Sequence, residues 1–132
     1  MAATALTVHS ISRVIDGTTT NSINDNIESP SVFFVDCDSV NGNKFANITG
    51  QVFLFVKNTS DTDSLIVTVV TTFTKDGYAL ADMTQTIDAG DEALLGPFTT
   101  IFNDPSGEVT VNWTSNGTVS GKVCACRLNP SA

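Results

Sequence analysis

The sequence predicts an all-β chain: a single antiparallel β-sandwich, jelly-roll-like, preceded by an extended N-terminal arm. Three observations carry this. Short runs rich in Val, Thr, Ile and Phe alternate between apolar and polar positions, as half-buried strands do. Turn chemistry (Asn-Gly, Asp-Gly, Ala-Gly, Gly-Pro) separates them at short intervals. No stretch shows the 3.6-residue apolar period of a helix. Seven or eight such strands make a two-sheet architecture.

Residues 1–30 form the expected arm, and residues 31–132 the sandwich domain. Within the arm, only the segment from Leu6 to Val14 alternates as a strand does. Asp16 to Asn21 is turn and loop chemistry, and Ile23 and Ile27 interrupt a polar stretch. Val32 to Val35 is a short run, apolar on both faces, which ends before Asn41-Gly42-Asn43. Val52 to Val56 is continuously apolar, the pattern of a central strand covered on both sides. In the next strand Leu65, Val67, Val69 and Phe73 share one face, with Ile66, Thr68, Val70 and Thr72 on the other.

Asp76-Gly77 between two strand-like runs is a strong hairpin signal, with Tyr78 to Ile87 as the returning strand. Gly77 is needed there for positive φ. After the Ala89-Gly90 turn, Gly96-Pro97-Phe98 is expected to bend the chain and place Phe98 in the core. Val109, Val111 and Trp113 alternate with Thr110, Asn112 and Thr114, so Trp113 is expected to pack between sheets. In the last strand Val123, Ala125 and Arg127 oppose Cys124, Cys126 and Leu128.

The chain has 132 residues, 6 Lys+Arg and 14 Asp+Glu, for a formal net charge of −8. One domain of this size buries a sufficient core without staples. Nucleic acid is not an expected partner, because phosphate affinity needs clustered basic residues and here they are scattered singly. No apolar run approaches the ~20 residues of a membrane-spanning helix, and no signal peptide is read at the N-terminus. The 3 cysteines cannot all pair within one chain, and adjacent-but-one Cys124 and Cys126 on a strand are poorly placed to bond each other. Buried free thiols are the expectation, with a bridge from Cys37 to one of the pair as the alternative.

Candidate chemistry is sparse. The lone histidine, His9, has no nucleophile patterned beside it, so no catalytic residue is assigned. Cys124, Cys126, Cys37 and His9 lack the paired loop spacing of a zinc site. Asp36-Cys37-Asp38 departs from a calcium loop at Val40, so no metal and no cofactor is expected. The carboxylates Asp61, Asp63, Asp82, Asp88, Asp91, Glu92, Asp104 and Glu108 read as turn caps and solubilising charge rather than paired acid and base. Sequons at Asn47, Asn58, Asn112 and Asn116 are chance products of a Thr-, Ser- and Asn-rich composition.

From Gln51 to Leu128 a succession of motifs carries a family likeness. It runs from Val52-Phe53-Leu54-Phe55-Val56-Lys57-Asn58-Thr59 through Asp76-Gly77-Tyr78-Ala79-Leu80-Ala81-Asp82 and Thr84-x-Thr86-Ile87. Ala89-Gly90-Asp91-Glu92, Gly96-Pro97-Phe98, Val109-Thr110-Val111 and Val123-x-Ala125-x-Arg127-Leu128 follow. In this order the chain resembles the small β-sandwich head decoration (cement) proteins of tailed bacteriophages.

That resemblance implies a non-enzymatic virion protein, assembled in the host cytoplasm, that binds the major capsid protein on the outer head surface. It implies a homo-oligomer, dimer or trimer, on the shell. A tail, neck or fibre component is the nearest alternative, and a carbohydrate-binding or adhesive β-sandwich is the other. Within the arm, Leu6, Val8, Ile11 and Val14 are the expected partner contacts, since an apolar alternating face outside the domain must be covered somewhere.

Overall fold

The computed structural model describes residues 3–12, 34–72 and 74–129. The described residues are all-β, with twelve strands and one 3-10 turn at Thr100–Phe102. The strands are β1 (Thr4–Ala5), β2 (Val8–Ser12), β3 (Val35–Asp36), β4 (Asn43–Ala46), β5 (Phe53–Asn58) and β6 (Leu65–Val69). They continue as β7 (Thr74–Lys75), β8 (Tyr78–Ala79), β9 (Met83–Ile87), β10 (Glu92–Leu95), β11 (Glu108–Ser115) and β12 (Gly121–Asn129). One five-stranded sheet runs β1-β4-β11-β6-β9; the other runs β10-β5-β12-β2, with β3 also on β12. A two-stranded ribbon, β7-β8, stands apart.

The inner faces of the two sheets share one buried cluster, which makes the arrangement sandwich-like. Phe45, Val67, Val69, Val109, Val111 and Trp113 enter it from the first sheet. Leu54, Val56, Val123 and Ala125 enter it from the second. These are the alternate positions expected for β6, β11 and β12. A period of two sends every second side chain inward, so a single apolar alternation specifies both register and face.

The expectation for β5 also holds. Its outward residues Phe53 and Phe55 pack on Phe34, Cys124 and Cys126 in a second cluster, on the outer face of the same sheet. Lys57 Nζ lies 4.5 Å from the centroid of the Phe34 ring. Both faces of β5 and β12 are therefore covered, which is why both strands are apolar at successive positions.

The Asp76-Gly77 turn joins β7 to β8 with both residues at positive φ, 54° and 84°. Beyond it, the returning strand is interrupted. Asp82 Oδ1 accepts from the Thr71 backbone N at 2.9 Å, so a side chain takes the place of a ladder rung and the ribbon leaves the sheet before β9 begins.

Two expectations are corrected. The sheets are mixed, not wholly antiparallel, because β1 pairs in parallel with β4 and β2 pairs in parallel with β12. For the same reason the described N-terminal residues are no free arm: β1 lies in one sheet and β2 in the other. The boundary set at residue 30 and the run of Val32 and Phe33 lie outside the described residues, as does Phe73. The apolar start of the N-terminal alternation is covered by the chain's own sheets, which are the nearest apolar surface available to it.

Candidate interaction surface

The groups with chemical potential are engaged in structure. Asn43, Asn47 and Asn58 are the three buried polar residues among those described. Asn43 Oδ1 accepts from Trp113 Nε1 at 2.7 Å and from the Asp38 backbone N at 3.0 Å, while its Nδ2 donates to the Thr4 carbonyl. Asn47 Nδ2 donates to the Phe98 carbonyl and to Asn103 Oδ1, both at 2.9 Å. Asn58 Nδ2 donates to the carbonyls of Asp63, Ile87 and Asp88. Each of these amides replaces backbone partners where the regular ladder gives way to a connection. Sequence reasoning passes over them, taking Asn47 and Asn58 only as sequons. The available signal is an Asn inside or abutting an otherwise apolar strand.

Of the carboxylates read as turn caps, Asp63, Asp82 and Asp104 accept from backbone N–H groups at connections, while Glu108 pairs with Lys44. Asp104 Oδ1 accepts from the backbones of Ser106 and Glu108, and Asp63 Oδ2 from that of Thr118. Asp38 accepts from the Thr4 hydroxyl, the Asn41 side chain and the backbones of Val40 and Asn41. The Thr4 hydroxyl first, then the Asn41 amide, hold its carboxyl down at about 2.

The three cysteines are free. Cys124 and Cys126 share the outer face of β12 with their Sγ atoms 3.3 Å apart, a thiol hydrogen bond rather than a disulfide. That bond and burial push the Cys124 thiol upward. Cys37 sits apart, close against Gly121, and burial raises its thiol to about 12, with Asp36 adding to the effect. His9 stands opposite Cys126 in the β2–β12 ladder, and burial lowers its pKa. Among the described residues no group of three or more His, Cys, Asp or Glu side chains is placed to hold a metal ion.

Phe98 and Trp113 lie in the shared core as expected. Phe98 stacks tilted on Phe45 at 5.7 Å and edge-on to Phe102 at 5.9 Å. The Gly96-Pro97 peptide is cis and Gly96 has φ 107°. A Cβ on Gly96 would stand 3.0 Å from that of Phe53, so the chain passes too close to β5 for a side chain there.

The expected partner contacts that are described sit on or beside strands of the chain's own sheets. Leu6 is buried in the shared core, and Val8 is half-buried against it. Ile11 lies in β2 opposite Leu128. Val14 is outside the described residues.

Among the described residues the exposed large apolar side chains are Val35, Val40, Ile48, Tyr78, Leu94 and Ile101, and part of this set stands on the connections at one end. The register places the end of β4, the start of β11, the end of β6 and the start of β9 side by side. The connections that follow β4, follow β6 and precede β11 therefore meet there. Thr71 Oγ1 donates to the Ile101 carbonyl, tying two of them together. At this end Ile48 is 77% exposed, Tyr78 79% and Ile101 41%. Beside Ile48 lies an open cleft of about 310 Å³, lined also by Val8, Ala46, Thr49, Val52 and Arg127. Large exposed apolar side chains grouped on turns mark a surface that binds.

No protein-family model, curated protein or solved structure matches this chain.

Proposed function

We propose that this chain is a non-enzymatic structural protein of a tailed-bacteriophage virion, a capsid decoration protein that binds the outer head surface. In this reading the two sheets form a β-sandwich whose loop end, with Val8 of β2 lining its cleft, meets the major capsid protein. The exposure of Ile48 and Ile101 on connections at one end, with a largely apolar cleft beside Ile48, is the observation that supports it. The motif succession from Gln51 to Leu128 supports it too, since its turns build that scaffold. Such a role needs buried area and no chemistry. Binding that favours the assembled shell stabilises it by linkage, by about 2.7 kcal/mol per site at a hundredfold excess over Kd. The acidic balance suits an outer surface, away from packaged DNA.

Co-sedimentation with undecorated phage heads, with a DNA-free shell as control, tests the proposal. Saturable binding at a fixed copy number per capsomer and a raised melting temperature of the head are expected. Ile48→Asp combined with Ile101→Asp should abolish binding while leaving the monomer folded. Absence of binding at micromolar concentration overturns the reading, and a tail or fibre role then takes its place.

A further inference from the structure

β9 ends the first sheet, with β6 on one side and, among the described residues, no strand on the other. Its ladder shows which backbone groups are left over. The Val70 N–H bonds to the Thr110 carbonyl, so alternate β6 residues from Val70 backward serve β11. Val69, Val67 and Leu65 therefore serve β9, through Met83, Gln85 and Ile87. The N–H and C=O groups of Thr84 and Thr86 point away from the sheet. Among the described residues one of the four is covered: Gln85 Nε2 donates to the Thr86 carbonyl at 3.1 Å. Thr84, Gln85 and Thr86 are all exposed.

Natural edges are blunted by lysine, proline or a bulge. β9 has no charged residue and no proline. The charges lie just outside it: exposed Asp82 immediately precedes the strand and exposed Asp88 immediately follows. Exposed Asp91 and Glu92 follow in the chain, at the turn into β10 of the other sheet. A second copy pairing β9 with β9 antiparallel would set Asp82 near the other copy's Asp88, and like charges so placed repel. The complementary occupant carries positive charge at both ends.

We propose that β9 is a strand-addition edge, receiving an extended segment of another protein in which lysine or arginine flanks an uncharged β-forming run. The backbone groups of Thr84 and Thr86 supply the ladder, and Asp82 and Asp88 select the flanks. The Gln85 amide acts as a displaceable cover on the Thr86 carbonyl. This stands on an edge that no described strand covers and on its charges, independently of the virion reading.

The probe is a nine-residue peptide of alternating threonine and valine with two lysines at each end; a control has aspartates in place of the lysines. Amide hydrogen exchange and fluorescence titration read the outcome. The lysine peptide should protect the Thr84 and Thr86 amides, and binding should weaken as salt rises. Thr84→Pro removes an outward N–H without touching the β6 ladder, so the fold is kept. It should weaken binding about tenfold, the scale of one ladder bond. Gln85→Ala should strengthen binding, since the cover is gone. Equal binding of the aspartate peptide, or unchanged exchange at both threonines, overturns the proposal. So does concentration-dependent protection of the same amides without peptide, which would make the occupant a second copy.

Discussion

Trp113 Nε1 donates to Asn43 Oδ1 across 70 positions of sequence, at 2.7 Å and fully inside the protein. The same oxygen receives the Asp38 backbone N–H, and the same amide donates to the Thr4 carbonyl. One side chain thus joins β1, the turn before β4 and the largest aromatic of the core. Asn43→Leu leaves two donors unmet and should cost about 2–4 kcal/mol in urea unfolding. Trp113→Phe should cost less in hydrogen bonding, because Asn43 keeps Asp38. A double-mutant cycle showing no coupling between the two sites would contradict the shared bond.

Phe98 fills the space between Phe45 and Phe102, with its carbonyl held by Asn47. Phe98→Ala should cost about 3–5 kcal/mol, as aromatic truncation in a packed core does. A thermal melt that overlays the parent would show that Phe98 is not in the core.

Two glycines separate conformational strain from steric conflict. Gly77 has φ 84° and no atom within 4 Å of where a Cβ would stand, so Gly77→Ala should cost only the left-handed backbone penalty, about 1–2 kcal/mol. Gly96 combines φ 107° with a 3.0 Å approach to Phe53, so Gly96→Ala should cost distinctly more. Gly77→Val adds β-branching to the strain and should disturb the hairpin further. Equal midpoints for the two alanine variants in denaturant would refute the distinction.

Stability should respond to pH at both extremes. Asp38, held at about 2, is below its ordinary unfolded value of about 3.9, so its contribution is complete above that value and is lost as pH falls toward 2. Asp38→Asn should flatten the acid limb of a stability–pH curve. Cys37, raised to about 12, behaves in the opposite sense: its contribution is complete below the unfolded thiol value of about 8.5 and is lost as pH rises toward 12. At pH 8 a thiol reagent should leave Cys37 intact in the native protein and react with it once the protein is unfolded in urea.

Much of the fold is legible locally. The alternations Val109, Val111, Trp113 and Leu65, Val67, Val69 announce their own strand and buried face, because the period of two is a property of neighbours in sequence. Asp76-Gly77 announces its hairpin because positive φ is a local demand. The apolar run from Val52 to Val56 reads as covered on both sides, and the shared core and the Phe34 cluster cover it. Of the candidate surface, nothing is legible. Ile48, Tyr78 and Ile101 lie 30 and 23 positions apart in sequence, and only the register of β4, β11, β6 and β9 turns their loops to one end.

An all-β chain, its strand faces and its tight turns follow from residue types and spacing alone. Which strands neighbour each other does not, since pairing is a long-range choice among edges of similar composition. Strands β2 and β12 show the difference. The alternation from Leu6 identifies a strand, but not that β2 runs parallel to β12, with Leu6 buried and Val8 half-buried against the core. The amide of Asn43 becomes recognisable as a hub only once Thr4, Asp38 and Trp113 stand around it, because a hydrogen bond needs three-dimensional proximity that no spacing in the chain encodes.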